Sequence, residues 1–411
     1  MTAPECAQPH VPEAMKAANA PKGSASVHLD ALRGFAAFSV LLFHCRKTLF
    51  VEYKAFGHHS LLCKAGYFIS SFGHQWVIVF FVLSGYLVGG SVMRAFDSGR
   101  WSWRSYLLTR LTRLYVVLLP ALLLGGFCDW FRMYLNGMLG DINDIAIKLT
   151  FSKNVFNPLS PAILSPASLF ANCLFLQRIR LPGQHYEIPV FGSNGPLWSL
   201  ANEFWYYMAF PLLALMLARG RSWWMRAGCG LGLLIWGWFV GQPIVLLGIP
   251  WLMGVLIVYL PAFPARGLWA RRIAIGMALG LFAVALPVDI KIASTDHIWV
   301  TDTLLGLIVT LLIWVLLHCA VQPLPSLYIR IAQRSAHSSY TLYLTHYPMM
   351  LLLIVLLHMP RVLPGWHGFF VNSVLLVLVI LYAQIVYELF EKQTGRVRAW
   401  IKPYILRTNA A

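Results

Sequence analysis

Charged residues are scarce in this 411-residue sequence: only 11% of positions are Asp, Glu, Lys or Arg, whereas a soluble globular domain carries about a quarter. Hydrophobic residues make up 59% of the chain, and the mean hydropathy is +0.67. This composition excludes an ordinary soluble enzyme and predicts an integral membrane protein with several apolar helices. The net charge of +17 comes from basic residues near predicted helix ends, which indicates membrane topology rather than a nucleic-acid partner.

Cysteine motifs and internal repeats are also lacking. The seven cysteines form no C-x-x-C pair and no metal-ligand spacing, so we predict no metal site and interpret most of them as small core residues. A disulfide between Cys63 and Cys173, both in predicted outer segments, stays an open question. No repeat indicates a transporter built from inverted halves.

Ten apolar runs are each about long enough to span a bilayer, which predicts an all-α fold of about ten transmembrane helices. They lie near residues 31–49, 75–93, 107–128, 196–217, 224–241, 243–260, 272–288, 299–319, 338–358 and 368–390. Residues 28–392 therefore form one membrane domain, between a disordered tail (1–27) and a basic tail (393–411). The Pro- and Gly-rich segment 129–195 is predicted to be a long outer loop, whose apolar piece 169–176 suits a half-inserted helix.

Basic clusters decide the predicted orientation of these helices. Lys and Arg concentrate at one side of the membrane, and this side is the cytoplasmic one under the positive-inside rule. The clusters cover residues 94–113, 219–226, 266–272 and 392–407. Both termini are therefore predicted to be cytoplasmic.

Arg33 and His44 are the first candidates for chemistry. They lie eleven residues apart in the first span, so both project from one helix face, separated by roughly 16 Å. Glu203, seven residues after Pro196, lies roughly 10 Å below the outer boundary, and His44 roughly 9 Å below it. A carboxylate at this depth would orient His44 as a general base. The alternative is a buried pair that only holds two helices together.

Arginines crowd the entrance to the third span: Arg94, Arg100, Arg104, Arg110 and Arg113. The positive-inside rule alone explains a basic loop. The absence of lysine from this set favours phosphate binding, because the planar guanidinium fork grips phosphate in two places. Both interpretations stay open.

Further polar residues lie in later spans. His346 falls near mid-membrane in the ninth span, where it either lines the same track or is a hydrogen-bonded core histidine. Asp302 either joins the outer cluster or is an interfacial residue at a helix N-terminus. Ser84 and Gly85 are small residues that let neighbouring helices approach closely.

Five motifs together resemble the acyltransferase-3 family of integral membrane enzymes, over about residues 28–392. They are Arg33 with His44, the F-F-x-x-S-G-Y element at 80–86, Arg110 with Arg113, the W-S-L-x-x-E element ending at Glu203, and the Y-L-x-H element ending at His346. The chain departs from relatives at Ala201-Asn202 and Phe204-Trp205, where charged or polar residues are common. It resembles the stand-alone form, which lacks an extracellular hydrolase-like domain.

The resemblance implies an O-acyltransferase in a bacterial inner membrane that moves an acyl group, by default acetyl, from cytoplasmic acyl-CoA to an outer hydroxyl. His44, Glu203 and Arg33 would be catalytic, and Arg110, Arg113, Arg104 and His346 would bind acyl-CoA. Acyl-CoA is then a co-substrate, with no bound cofactor. The acceptor would be a carbohydrate or lipid-linked glycan. Direct attack and an acyl-His intermediate are both open, and the oligomeric state is not predicted.

Two other functions compete with this one. In a proton-coupled transporter or flippase for a glycan or lipid, His44 and Glu203 would relay protons, but a cytoplasmic phosphate clamp would have no use. A glycan polymerase or ligase would need an arginine-lined outer loop, and the predicted loop holds only Arg132, Arg178 and Arg180.

Overall fold

The computed structural model describes residues 23–55, 60–138, 161–180, 186–218, 220–292, 298–320 and 323–406. These residues fold into helices joined by short turns and contain no β-strand. The helices are α1 (Ser24–Leu49), α2 (Leu61–Ile69), α3 (Gly73–Ser84), α4 (Gly90–Asp97), α5 (Trp103–Met138), α6 (Pro166–Cys173), α7 (Trp198–Leu217), α8 (Trp223–Val240), α9 (Gln242–Leu256), α10 (Leu268–Ile292), α11 (Ile298–Cys319), α12 (Ser326–Leu356), α13 (Trp366–Leu389) and α14 (Thr394–Ile405).

Nine helical stretches of the described chain are long and apolar enough to cross a membrane. They coincide with nine of the ten predicted runs. The tenth run forms α8, an 18-residue helix that is not among the nine but is roughly 27 Å long. The prediction of an all-α integral membrane protein is therefore confirmed.

Two helices extend beyond the apolar runs that predicted them. Helix α1 begins at Ser24, so the first helix starts before residue 28; residues 1–22 lie outside the described part. Helix α5 continues to Met138, so the first ten residues of the predicted outer loop are helical. Asp129 and Arg132, at the start of the predicted loop, form an ion pair of 3.3 Å, and each side chain is only 1% exposed. Asp129 also accepts a hydrogen bond from the Ser193 backbone N–H. Because the charges are paired inside, the helix continues.

The short apolar piece of the predicted loop forms the eight-residue helix α6, roughly 12 Å long and too short to span. Ser165 caps its start by accepting a hydrogen bond from the Ser168 backbone N–H. Cys63 and Cys173 are both free thiols, as are the other described cysteines.

Helix α12 is the centre of the bundle. Its most apolar window is 72% buried, against 28% for α10, which faces outwards. It packs against α1, α5 and α13 and contributes to both hydrophobic clusters: Tyr343 and Leu344 to one, Met350 and Leu351 to the other. Residues on its inward face are therefore held between three neighbouring helices.

Close backbone packing joins α3 to α9. A π-helical turn at Gly85–Gly89 follows α3, and a Cβ at Gly85 would lie 1.8 Å from the Trp251 carbonyl oxygen. From the other side, a Cβ at Gly254 would lie 2.0 Å from the Val82 carbonyl oxygen. Only glycine permits this approach, so the expectation of small-residue packing at this site is confirmed.

Candidate active site

A cavity of about 420 Å³ lies among α1, α3, α5, α7 and α12, with the start of α14 at its mouth. Exposed His337 and Lys392 line the mouth. The lining residues farthest from the mouth along their helices are Val77, Ser199 and Leu344. The cavity thus opens on the side of the membrane where α14 lies and reaches the middle of the bundle.

Positive charge predominates in this cavity. Arg33, Arg113 and Arg398 all line it. Arg33 donates to Asp30 at 3.1 Å and is 24% exposed. The Arg113 guanidinium makes no direct hydrogen bond or ion pair with the described residues; it interacts at longer range with the carboxylates of Glu203 and Glu391. A cationic side chain without a direct partner is available for an anionic ligand.

The predicted arginine set separates in the structure. Arg110, one turn from Arg113, does not line the cavity, because its Nη2 donates to Ser91 Oγ at 2.6 Å and its guanidinium lies over the rings of Tyr106 and Tyr207. Arg104 is exposed and also lies outside the lining. Of the three predicted arginine ligands of acyl-CoA, only Arg113 faces the cavity.

Arg398 takes the place expected for a second arginine. Helix α14 packs on α5, and Arg398 Nε donates to Thr112 Oγ1 at 3.2 Å while its Nη2 donates to the Thr109 carbonyl. These bonds fix the guanidinium at the cavity mouth. The predicted basic tail therefore contributes a helix and two lining residues, Thr394 and Arg398.

Glu203 belongs to a hydrogen-bonded group on the cavity wall. It accepts hydrogen bonds from Ser84 Oγ at 2.8 Å and from the Tyr207 hydroxyl, one turn along α7. Trp251 Nε1 donates to the same Ser84 oxygen at 3.2 Å. The Gly85 packing places Ser84 against α9 and so completes this group.

Glu391 is a second, half-buried carboxylate on the cavity lining. It accepts hydrogen bonds from the backbone N–H and the hydroxyl of Thr341, at 3.1 and 2.5 Å. It also interacts electrostatically with Arg33 and Arg113. The carboxylate thus interacts with both of the predicted functional arginines that line the cavity.

His44 does not hydrogen-bond to Glu203. Its ring instead lies beside His346, with centroids 5.3 Å apart, and beside Tyr347 at 4.9 Å. The predicted His44–Glu203 contact is therefore not formed in this structure. The depths along the two helices matched, but α1 packs chiefly on α12, so His44 faces that helix while Glu203 faces Ser84.

His346 has a defined tautomer in its neutral form. Its Nδ1 lies 3.0 Å from the Leu342 carbonyl oxygen and 2.9 Å from that of Tyr343; because carbonyls only accept, Nδ1 carries the hydrogen. Its Nε2 is buried and has no hydrogen-bond partner among the residues that the structure describes. This tautomer leaves an acceptor nitrogen on a ring that is 1% exposed.

A layer of side chains separates the cavity from the two histidines. Phe80 and Tyr343, both lining the cavity, meet edge to face with ring centroids 5.6 Å apart, and Tyr343 also bonds to Ser199 at 2.7 Å. Neither His44 nor His346 lines the cavity. The cavity thus ends short of the histidine pair.

Asp302 joins a polar cluster at the far end of α3. His74 Nε2 lies 2.8 Å from Asp302 Oδ1; the carboxylate is 3% exposed and the imidazole 32%. Gln75 donates to Asp289 at 2.6 Å, and the His74 ring stacks on Trp198. The partner of Asp302 is therefore His74 rather than His44 or Glu203, and the predicted cluster of Asp302 with those two residues is not formed in this structure.

Sequence reasoning missed Arg398, Glu391 and His74. Arg398 lies in a segment that contributes only to the positive-inside pattern. Glu391 follows a long apolar run, so a helix-end role accounted for it, and His74 precedes the apolar run that was taken as the second span. For His74 and Glu391, the sequence did contain a usable signal, because each is a polar residue directly next to an apolar run.

The fold and the cavity define a class: a polytopic helical membrane protein with a charged cavity in the bundle. The family model for the acyltransferase domain, Acyl_transf_3, matches residues 27–387, which is most of the chain. The protein therefore belongs to the acyltransferase-3 family and is a membrane acyltransferase. No curated protein and no solved structure matches it.

Proposed function

We propose that the protein transfers an acyl group, by default acetyl, from cytoplasmic acyl-CoA to a hydroxyl of a carbohydrate or lipid-linked glycan outside a bacterial inner membrane. The observation that carries this proposal is the one-sided cavity, whose Arg113 guanidinium has no direct partner among the described residues. Arg398, which could bind phosphate, lies at the mouth of the cavity, whereas the polar side chains of Ser199 and Glu203 lie deeper in the bundle.

The donor would enter from the side of α14. Arg398 and Arg113 would bind the phosphates of CoA, since guanidinium–phosphate hydrogen bonds are charge-assisted. The narrow pantetheine arm would then pass Arg33 and Glu203. This assignment keeps Arg113 from the predicted set and replaces Arg110 and Arg104 with Arg398.

In the transfer step, the acceptor oxygen attacks the thioester carbonyl carbon, the carbon–sulfur bond breaks and a carbon–oxygen bond forms. His44 would take the acceptor proton as general base and return it to the departing thiolate. His346, beside it, would hold the ring in position. The thioester reaches His44 only when Phe80 and Tyr343 move apart, so donor binding would open this layer.

Calorimetry of acetyl-CoA binding to the purified protein in detergent tests the donor site. We expect Arg113→Ala and Arg398→Ala each to weaken binding by about tenfold or more, because a hydrogen bond to a charged group contributes about 1.5–3 kcal/mol. Arg104→Ala is the matched control, since Arg104 is exposed and outside the cavity, and should bind like the wild type.

Equal losses in all three variants would indicate general electrostatic attraction and contradict a specific site. Absence of binding to folded wild-type protein would refute the acyl-CoA donor. Transfer of radiolabelled acetyl groups to membrane glycans, with His44→Ala as the inactive control, then identifies the acceptor class.

A further inference from the structure

A second, larger recess of about 780 Å³ lies beside the first cavity and is lined by different residues of α1 and α12. Arg33 and Ala336 line the first cavity, while their neighbours Leu32 and Ser335 line this groove. Helix α11 forms the floor and packs against both α1 and α10. We call this recess the α1–α10 groove.

The floor of the α1–α10 groove is apolar and its rim is exposed. Leu312 and Phe282 are buried, whereas Phe35 and Leu279 are 53% and 47% exposed. Because these helices lie in a bilayer, the exposed rim faces lipid. A recess with an apolar floor and a lipid-facing rim is suited to a hydrocarbon chain.

The length of the groove matches one leaflet. Its lining on α1 runs from His28 to Phe38, which is roughly 15 Å at 1.5 Å per residue. This is half of the ~30 Å hydrocarbon core of a bilayer. The groove thus has room for the chain of a lipid in the leaflet at the amino end of α1, the cytoplasmic leaflet in the proposed topology.

Polar and basic groups gather at one end of the groove. His28 Nδ1 lies 2.7 Å from the Tyr328 hydroxyl, and both residues line the groove. Arg271 lies one turn before Ile275 on α10, on the helix face that lines the groove. It also interacts electrostatically with Cys319, the last residue of α11. Its guanidinium makes no hydrogen bond or ion pair with described residues. Arg272 flanks it and lies over the Trp269 ring.

We propose that the α1–α10 groove binds one anionic phospholipid of the bilayer. An acyl chain lies along α11, and the headgroup phosphate is held at Arg271, with the Tyr328 hydroxyl and Arg272 nearby. Basic pockets between membrane helices on one side of the bilayer recognise anionic headgroups in this way. The site is separate from the proposed acyl-CoA cavity, so it holds whether or not that donor is correct.

Native mass spectrometry of delipidated protein, titrated with phosphatidylglycerol or phosphatidylcholine of equal chain length, tests the site. Leu279→Trp places a bulky ring in the groove from its exposed rim, so we expect tenfold weaker retention of the first phosphatidylglycerol. Met277→Trp is the matched control: Met277 is 70% exposed on the same helix and does not line the groove. Binding to this variant should equal that of the wild type.

The arginines are tested separately. Arg271→Ala with Arg272→Ala should reduce the preference for phosphatidylglycerol over phosphatidylcholine by about fivefold or more, while exposed Arg221→Ala leaves it unchanged. A photoactivatable chain should label α10 and α11. The proposal would be overturned if Leu279→Trp did not change the retention of phosphatidylglycerol, or if the double substitution of Arg271 and Arg272 did not change the headgroup preference. A protein dimer that Leu279→Trp dissociates would also overturn it, because the groove would then bind a second copy of the chain.

Discussion

The contact between α3 and α9 gives the sharpest stability prediction. At Gly85, an added Cβ would lie 1.8 Å from the Trp251 carbonyl oxygen, so the two backbones must separate by about 1.6 Å before ordinary contact at 3.4 Å is reached. Overpacking of a close interior contact costs about 1–3 kcal/mol. By contrast, Gly280 in α10 has open space where a Cβ would go, and Gly→Ala there should stabilise the helix by about 0.5–1 kcal/mol.

We therefore expect Gly85→Ala to lower the midpoint of thermal unfolding and Gly280→Ala to leave it equal or higher. The free energies of unfolding of the two variants should differ by about 1.5–4 kcal/mol. Unfolding in detergent is best followed by intrinsic fluorescence at one fixed scan rate, because membrane proteins often unfold irreversibly. Gly254→Ala, which meets the same packing from α9, should resemble Gly85→Ala. Equal midpoints for Gly85→Ala and Gly280→Ala would refute the packing argument.

Three further predictions concern polar residues. Arg110→Ala should destabilise the protein by about 1.5–3 kcal/mol in the same unfolding assay, because a charged hydrogen bond is lost; exposed Arg104→Ala should change stability by less than about 0.5 kcal/mol. His44→Ala should abolish acyl transfer but keep the Kd for acetyl-CoA within about twofold of the wild-type value by calorimetry, since His44 lies outside the cavity. Loss of acetyl-CoA binding in this variant would instead place His44 in the donor site. Asp302→Asn should lower the free energy of unfolding by about 1–3 kcal/mol. This is less than for a fully buried ion pair, because the His74 imidazole is 32% exposed. An unchanged melting curve would contradict this prediction.

Much of the helical architecture follows from the sequence because apolar runs of spanning length have few alternatives in a bilayer. The nine matching stretches all coincide with predicted runs. The ends of the helices are harder to predict where two charged residues form an ion pair inside the bundle. Asp129 and Arg132 lie three residues apart in the sequence, and nothing in that spacing distinguishes a buried helical ion pair from loop polarity.

The site was predictable in part. Spacing along a helix gives the depth of a residue in the membrane, and the structure places Arg33, Arg113 and Glu203, all singled out from the sequence, on the lining of one cavity. Spacing does not give the direction in which a helix face points relative to its neighbours. For this reason the sequence matched Glu203 with His44 by depth, whereas the packing of α1 on α12 gives His44 a histidine neighbour. Arg398 required knowledge that α14 folds back onto α5.

The layer formed by Phe80 and Tyr343 has a consequence for the cell as well as for the reaction. A membrane that stores energy as a proton gradient must remain electrically sealed, and a water-filled passage through the bundle would let that gradient leak. The Phe80 and Tyr343 rings pack edge to face with centroids 5.6 Å apart, so we expect this layer to block ions at the inner end of the charged cavity. If the pantetheine arm of the donor occupied the space between the two rings as they moved apart, ions would still be excluded. Acyl transfer and the exclusion of ions would then depend on the same pair of aromatic side chains.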